Sequence, residues 1–179
     1  MEVAFFTEMG FTGKVPRTHT NMRTEFAWMV ASNADHYNIN QIPDKRYDLG
    51  ITIIPKKNPE FDINKLRTVC DEVAVMQEGP HWFFQDYDIT NQFHYYNCLV
   101  DADWVYCHNE SDVNYYLGLG CKDVRVMRSM MVPEGLEASS NKSNGTIIGG
   151  NFVQWYGGFD SYVVAREIPH PIVAPSMGR

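Results

Sequence analysis

The stretch Ala102–Gly135, ADWVYCHNESDVNYYLGLGCKDVRVMRSMMVPEG, constrains the fold more than any other part of this chain. Trp104–Cys107 is an apolar run of strand length. Asn109 stands where a helix cap belongs, with Asp112 three residues on in a capping-box-like position. Gly120 can close that helix in a left-handed turn. Val124–Met127 is a second apolar run, and Pro133-Glu134-Gly135 ends the stretch as a turn. Strand, short helix and strand in this order read as a parallel crossover unit, and open parallel sheets build ligand sites outside the carboxyl ends of their strands.

The rest of the chain repeats the alternation. Val3–Phe6 reads as a buried first strand, His36–Ile39 as a second, Asp48–Ile54 as a third and Val73–Met76 as a fourth. Between them, Met22, Phe26, Met29 and Val30 share one helical face. Asp62 can cap a helix that presents Ile63, Leu66 and Val69. Ile89, Phe93, Tyr96 and Val100 are spaced to form the apolar face of a further helix. Strands alternating with helices at this spacing predict an α/β, Rossmann-like, three-layer α/β/α fold with a mainly parallel sheet. The polar run Glu137–Gly145 reads as a linker. The expected organisation is therefore a domain over 1–136, a linker over 137–145, and a strand-helix-strand segment over 146–179. In that segment Phe159, Tyr162 and Val163 should form the helical face, and Ile172–Ala174 the closing strand.

Composition excludes several classes. The formal net charge of −7 argues against a general nucleic-acid binder, which needs a basic face. No apolar run approaches the length of a membrane span. Met1 leads directly into the first strand with no basic leader, so a cytoplasmic protein is expected. Cys70, Cys98, Cys107 and Cys121 include no CxxC pair and sit in apolar contexts, which predicts reduced core thiols and no zinc site.

Three groups of residues invite a chemical reading. Gly10-Phe11-Thr12-Gly13-Lys14 follows the first strand. It is either a surface loop or a place where backbone amides approach a phosphate, with Arg17, His19 and Arg23 adding charge. Its spacing is neither GxGxxG nor a P-loop. Glu78-Gly79-Pro80-His81 follows the fourth strand. It is either a solvated turn or the source of a base, Glu78 or His81, that takes a proton from a hydroxyl. The aromatics Trp82, Phe83 and Phe84, and again Trp155 and Tyr156, serve either as core or as a sugar platform. His108, Asn109 and Glu110 stand at the end of the fifth strand, where a cleft would open. Asp101-Ala102-Asp103 approaches a metal-binding DxD, but at a helix-to-strand junction, so no metal is expected. The absence of GxSxG argues against a hydrolase with a nucleophile elbow.

The order of ADWVY, a capped helix ending Leu119-Gly120, and a strand running to Val132-Pro133-Glu134-Gly135 resembles the end of the N-terminal half of GT-B-fold glycosyltransferases. The segment IIGGNFVQWYGGFDSYVVA resembles the opening of their C-terminal half, with Gly149-Gly150-Asn151 at the phosphate-side turn and Tyr156-Gly157-Gly158 near the start of the next helix. The arginine and lysine that the family carries in those two places are absent. The resemblance implies sugar transfer from a nucleotide-sugar donor to an acceptor. Glu78 and His81 would face the acceptor in the 1–136 domain. Gly10, Gly13, Lys14, Gly149, Gly150 and Asn151 would line the donor side. It also implies further β-α units beyond Arg179, so the chain is expected to be part of a transferase or a one-domain relative. The competing reading is a non-catalytic binding or assembly module on the same fold, dimeric through 146–179. A dinucleotide oxidoreductase is disfavoured because no Rossmann fingerprint follows the first strand.

Overall fold

Val3–Thr7 forms β1, and all five of its residues are buried, as a strand covered on both faces requires. The computed structural model describes residues 1–17, 24–54, 61–77, 87–133, 145–148 and 158–174. After β1 come β2 (Gly13–Lys14), α1 (Thr24–Ala31), β3 (Asp35–Asn38), β4 (Tyr47–Thr52), a 3-10 helix (Ile63–Thr68) and β5 (Cys70–Met76). Then follow α2 (Ile89–Asp101), β6 (Trp104–Cys107), a 3-10 turn (Glu110–Asp112), α3 (Val113–Gly118) and β7 (Val124–Val126). The chain divides into two units, Met1–Leu136 and Glu137–Arg179.

The first unit is built on one seven-stranded sheet, ordered β2-β3-β1-β4-β5-β6-β7. Every neighbouring pair is parallel except β2 with β3. Alternate residues of each strand feed two cores. One core joins Val3, Phe5, Leu49, Ile51, Met76 and Trp104 to Phe26, Met29 and Val30 of α1. The other joins Ala4, Phe6, Val73, Val75, Val105 and Cys107 to Ile63, Leu66, Tyr95, Leu99 and Tyr116. Each fully buried aliphatic side chain contributes about 1.5–3 kcal/mol, so both helical layers are held by the sheet rather than by helix propensity. The four cysteines are free and all buried in the second of these cores.

Local signals set several ends. Asn33, at φ 50, closes α1 in the left-handed region that asparagine tolerates, while Ala34 N–H donates to the Met29 carbonyl at 2.9 Å. Gly120, at φ 97, closes α3 as expected. Asp62 caps the 3-10 helix by accepting from Asn64 N–H at 2.9 Å. Gly50 in β4 is required by close approach: a Cβ there would lie 2.6 Å from Cys70 Sγ.

Four expectations are corrected. Most of the apolar face proposed for α2 points outward: Ile89 is 67 % exposed and Phe93 62 %, and Val100 is exposed too, while Tyr96 alone of the four packs against the core. The helix buries Tyr95, Cys98 and Leu99 instead, an i, i+3, i+4 set on another face. Residues 13–14 are not open loop but a short antiparallel strand. Asn109 makes no side-chain cap; its amide reaches Asp112 Oδ2 at 3.4 Å. In the second unit, α4 (Gly158–Ala165) lies between the parallel strands β8 (Thr146–Ile147) and β9 (Ile172–Val173). There α4 buries Gly158 and Ala165, whereas Phe159 and Val163 are exposed.

Candidate functional site

In the order β3-β1-β4, chain connections leave β1 and β4 in opposite directions, and the crevice beyond their carboxyl ends is where open α/β sheets take ligands. The residues at that edge are polar and closely tied. His36 is fully buried in β3. The Phe11 carbonyl can only accept, so His36 Nδ1–H donates to it, at 2.8 Å. Nε2 is then the acceptor, and Thr7 Oγ1–H donates to it at 2.8 Å. Thr7 Oγ1 in turn accepts from Met9 N–H at 3.2 Å. The Phe11 ring lies on the imidazole with centroids 4.0 Å apart. Burial drives the His36 pKa below its ordinary value, and the Phe11 carbonyl only partly restores it, so the ring is neutral. Asn38 Nδ2 donates to the Met9 carbonyl at 3.0 Å. Thr12 Oγ1 donates to Gln41 Oε1 at 2.8 Å. The loop after β1 is thereby folded back on β3 and held from both ends.

This places the three glycine-loop candidates in different surroundings. Gly10 lies in the loop that leaves the carboxyl end of β1, and a Cβ built on it would meet nothing within 4 Å. Gly13, at φ 111, pairs with His36 across β2–β3. Lys14 pairs one residue further towards the start of β3: its Nζ lies 3.0 Å from Asp35 Oδ1 and 2.6 Å from the Asn33 carbonyl. Burial opposes ionisation of Asp35, but hydrogen bonds from Tyr47, Lys14 and Lys45 outweigh it and hold the carboxyl below its ordinary range. Glu78, His81, Gly149, Gly150 and Asn151 lie outside the described residues, as do His19, Arg23, Trp82–Phe84, Trp155 and Tyr156.

Two further strands end on polar residues at the same edge. Gln77 follows β5; its N–H donates to the Tyr106 carbonyl at 2.9 Å, and its buried Oε1 accepts from Tyr95 Oη at 3.1 Å. His108 follows β6 and donates from Nδ1 to the Met127 carbonyl at 2.9 Å. That bond orients the ring against the end of β7 and leaves Nε2 outside it. Beside it, Arg128 and Glu110 form a long, exposed pair at 3.9 Å.

The acids of the DxD-like run Asp101-Ala102-Asp103 lie at the opposite edge. Arg67 clamps Asp103 at 2.8 and 3.2 Å, and Asp103 also accepts from Val73 N–H at 2.8 Å. Burial raises the Asp103 pKa, but these hydrogen bonds overcome it and lower the net value. Among the described residues no three His, Cys, Asp or Glu side chains are grouped to hold a metal ion. None of the helices described is long and apolar enough to cross a membrane.

Sequence reasoning missed Thr7, His36 and Gln77. The available signal was a lone polar residue closing an otherwise apolar strand, as Thr7 closes VAFF and Gln77 closes VAVM. No protein-family profile matches the chain, and no curated protein matches it in sequence.

Proposed function

We propose that this chain forms the acceptor-side half of a GT-B-fold glycosyltransferase, with the opening of the donor-side half, and takes part in sugar transfer from a nucleotide-sugar donor. The observation that carries the reading is the parallel sheet ordered β3-β1-β4-β5-β6-β7, which collects the ends of β1, β5 and β6 along one edge. It joins the motif order read in Ala102–Gly135. Gly10 supplies unhindered backbone beside β1. After β5, Glu78 stands one residue and His81 four residues beyond Gln77 in the chain. In an inverting transfer, one of them takes the proton of the acceptor hydroxyl as that oxygen bonds to the anomeric carbon and the nucleotide phosphate leaves. In a retaining transfer the same position would stabilise the oxocarbenium-like state. His108, which follows β6, borders the same edge.

The test is titration of the chain with UDP-glucose, GDP-mannose, UDP and GDP, followed by calorimetry. Saturable binding in the range of about 1 μM–1 mM, ordinary for enzyme substrates, supports the reading. No binding by any of the four would remove donor recognition from this chain.

A second reading, an assembly module, is favoured by the second unit. A two-stranded parallel pair with one helix cannot cover both of its faces. Ile147 is 72 % exposed and Val164 66 %, and both line an open groove of about 490 Å³ with Ile148 and Ile168. Concentration-dependent dimerisation abolished by Ile147→Asp would favour it. A monomer at all concentrations would count against it.

A further inference from the structure

Phe11 and Thr12 form a short flap on β3, with a glycine at each end. Gly10 has open space where a Cβ would stand, and Gly13, at φ 111, holds a backbone conformation that glycine adopts without strain. Both ends can therefore turn without displacing a packed side chain of their own. The flap is held down chiefly by one residue. His36, fully buried in β3, donates from Nδ1 to the Phe11 carbonyl at 2.8 Å and lies against the Phe11 ring, with centroids 4.0 Å apart. The flap's other ties are the exposed hydrogen bond from Thr12 to Gln41 and a wider stack of Phe11 on Phe26, at 5.9 Å.

This hold needs a neutral ring. His36 Nε2 accepts from Thr7 Oγ1–H, and Thr7 Oγ1 accepts from Met9 N–H. A proton on Nε2 turns that nitrogen into a donor. Thr7 Oγ1 would then accept twice, which fills its lone pairs, and its own proton would lose its acceptor in a site where Thr7 is 2 % exposed. The charge would be buried as well. The charged side chains on the elements around the ring are Glu8 in the loop, Lys14 on β2, Arg17 beyond it, Asp35 on β3 and Glu25 on α1; β1 has none. Asp35 adjoins His36 in the strand and so faces the other side of the sheet, where Tyr47 and Lys14 hold it. Burial first, then the Phe11 carbonyl, act on the His36 pKa, and no charged group is among the causes. The Phe11 ring face attracts a cation, but by less than the hydration that a buried charge gives up. The protonated ring is thus driven towards water. Of its two side-chain neighbours, Thr7 stands in a strand paired on both sides, whereas Phe11 stands in the glycine-bracketed flap, so the flap yields.

We propose that His36 is a proton-operated latch: neutral, it holds Phe11 and Thr12 down on β3, and protonated, it releases that flap and uncovers the carboxyl end of β1. Acidification then opens the edge at which a parallel sheet takes its ligands, whatever the chemistry of the ligand. Release falls below pH 6.5, the ordinary value for the ring, because burial lowers the folded pKa.

The deciding experiment is an NMR titration of the full chain from about pH 8 to about 4.5, an interval that brackets histidine protonation. The imidazole nitrogen shifts report the tautomer and charge of His36, and cross-relaxation between the Phe11 and His36 ring protons reports the flap. The expected result is a neutral Nδ1–H ring with those contacts present at the alkaline end. They should vanish with the midpoint of ring protonation, while the methyl signals of Val73 and Leu99, in the opposite core, keep their positions. Contacts that persist on the protonated ring, or vanish at another midpoint, would overturn the proposal. So would a ring that stays neutral to the acid end, or unfolding of the whole chain as the ring protonates. His36→Gln supplies a second arm: the amide signals of Gly10 to Gly13 should lose their pH dependence over this interval. Dependence retained in that variant would assign the release to another group and remove the latch. Should His36→Gln not fold, the titration of the unaltered chain still decides.

Discussion

Thr7 and His36, on adjacent parallel strands, share one hydrogen bond of 2.8 Å in which the threonine hydroxyl donates to a fully buried imidazole nitrogen. The bond ties the end of β1 to β3 and, through Met9 N–H on Thr7 Oγ1, fixes the first turn of the loop that carries Gly10. Thr7→Val keeps the shape and removes both functions, leaving His36 Nε2 and Met9 N–H without that partner. The expected loss is about 1–3 kcal/mol, read as a lower urea midpoint with an unchanged m-value. Thr7→Ser should retain most of the stability; an equal loss in both variants would show that packing, not the hydrogen bond, matters at this position.

The same imidazole makes stability depend on pH in a defined window. Its folded pKa lies below the ordinary value of 6.5, because burial disfavours the charged ring. As pH falls through about 6.5 the unfolded chain takes up a proton that the folded chain refuses. The contribution of neutral His36 is therefore fully present above about pH 6.5 and is lost as pH falls towards the folded pKa. Denaturation midpoints measured from pH 8 to 5 should decline, and His36→Gln should flatten that part of the profile. The carboxylates of Asp35 and Asp103, whose folded values are lowered, act in a separate window below the carboxylate value of 3.8.

Gly50 tests the packing between β4 and β5. Gly50→Ala would bring a methyl group to 2.6 Å from Cys70 Sγ and 3.3 Å from its Cβ, on a strand that is central in the sheet. Overpacking of this kind costs about 1–3 kcal/mol. Cys70→Ala removes the sulfur and should recover part of that loss when combined with Gly50→Ala. The measurement is a double-mutant cycle in urea; additivity of the two changes would show that the strands move apart instead.

How much of this was legible depended on whether a residue's neighbours were close in sequence. β1 and β6 were readable because a buried parallel strand is apolar along its whole length. The inner face of α2 was not. Ile89, Phe93, Tyr96 and Val100 satisfy a helical period as well as Tyr95, Cys98 and Leu99 do, and periodicity alone cannot choose between two apolar faces. The choice was made by tertiary partners, among them the Gln77 amide just past the end of β5, to which Tyr95 donates. The site divides in the same way. Glycine content marked residues 10–14 as a turn, but it could not show that Lys14 meets Asp35 of β3, or that Gly13 opens a two-residue strand too short to leave a pattern. Polar Thr7 and Gln77 at the ends of apolar runs were visible, yet their meaning required knowing that both strands end on one edge.

The sharpest functional prediction concerns Glu78 and His81, which follow β5 in the chain. Each can serve as a proton acceptor, so single substitutions need not reveal the role. Glu78→Ala with His81→Ala, made in a catalytically complete form of the protein, should lower kcat by about 10²–10⁴-fold, the range for loss of general base catalysis. Circular dichroism and the urea midpoint, measured alongside, should stay near those of the parent. The single variants then separate the roles. If His81 is the base, Glu78→Ala retains a pH–rate profile with an acid limb near the histidine range. If Glu78 is the base, His81→Ala keeps activity down to the carboxylate range. Turnover unchanged in the double variant, with the fold intact, would take both residues out of the chemistry and leave His108 as the basic group to test next at this edge.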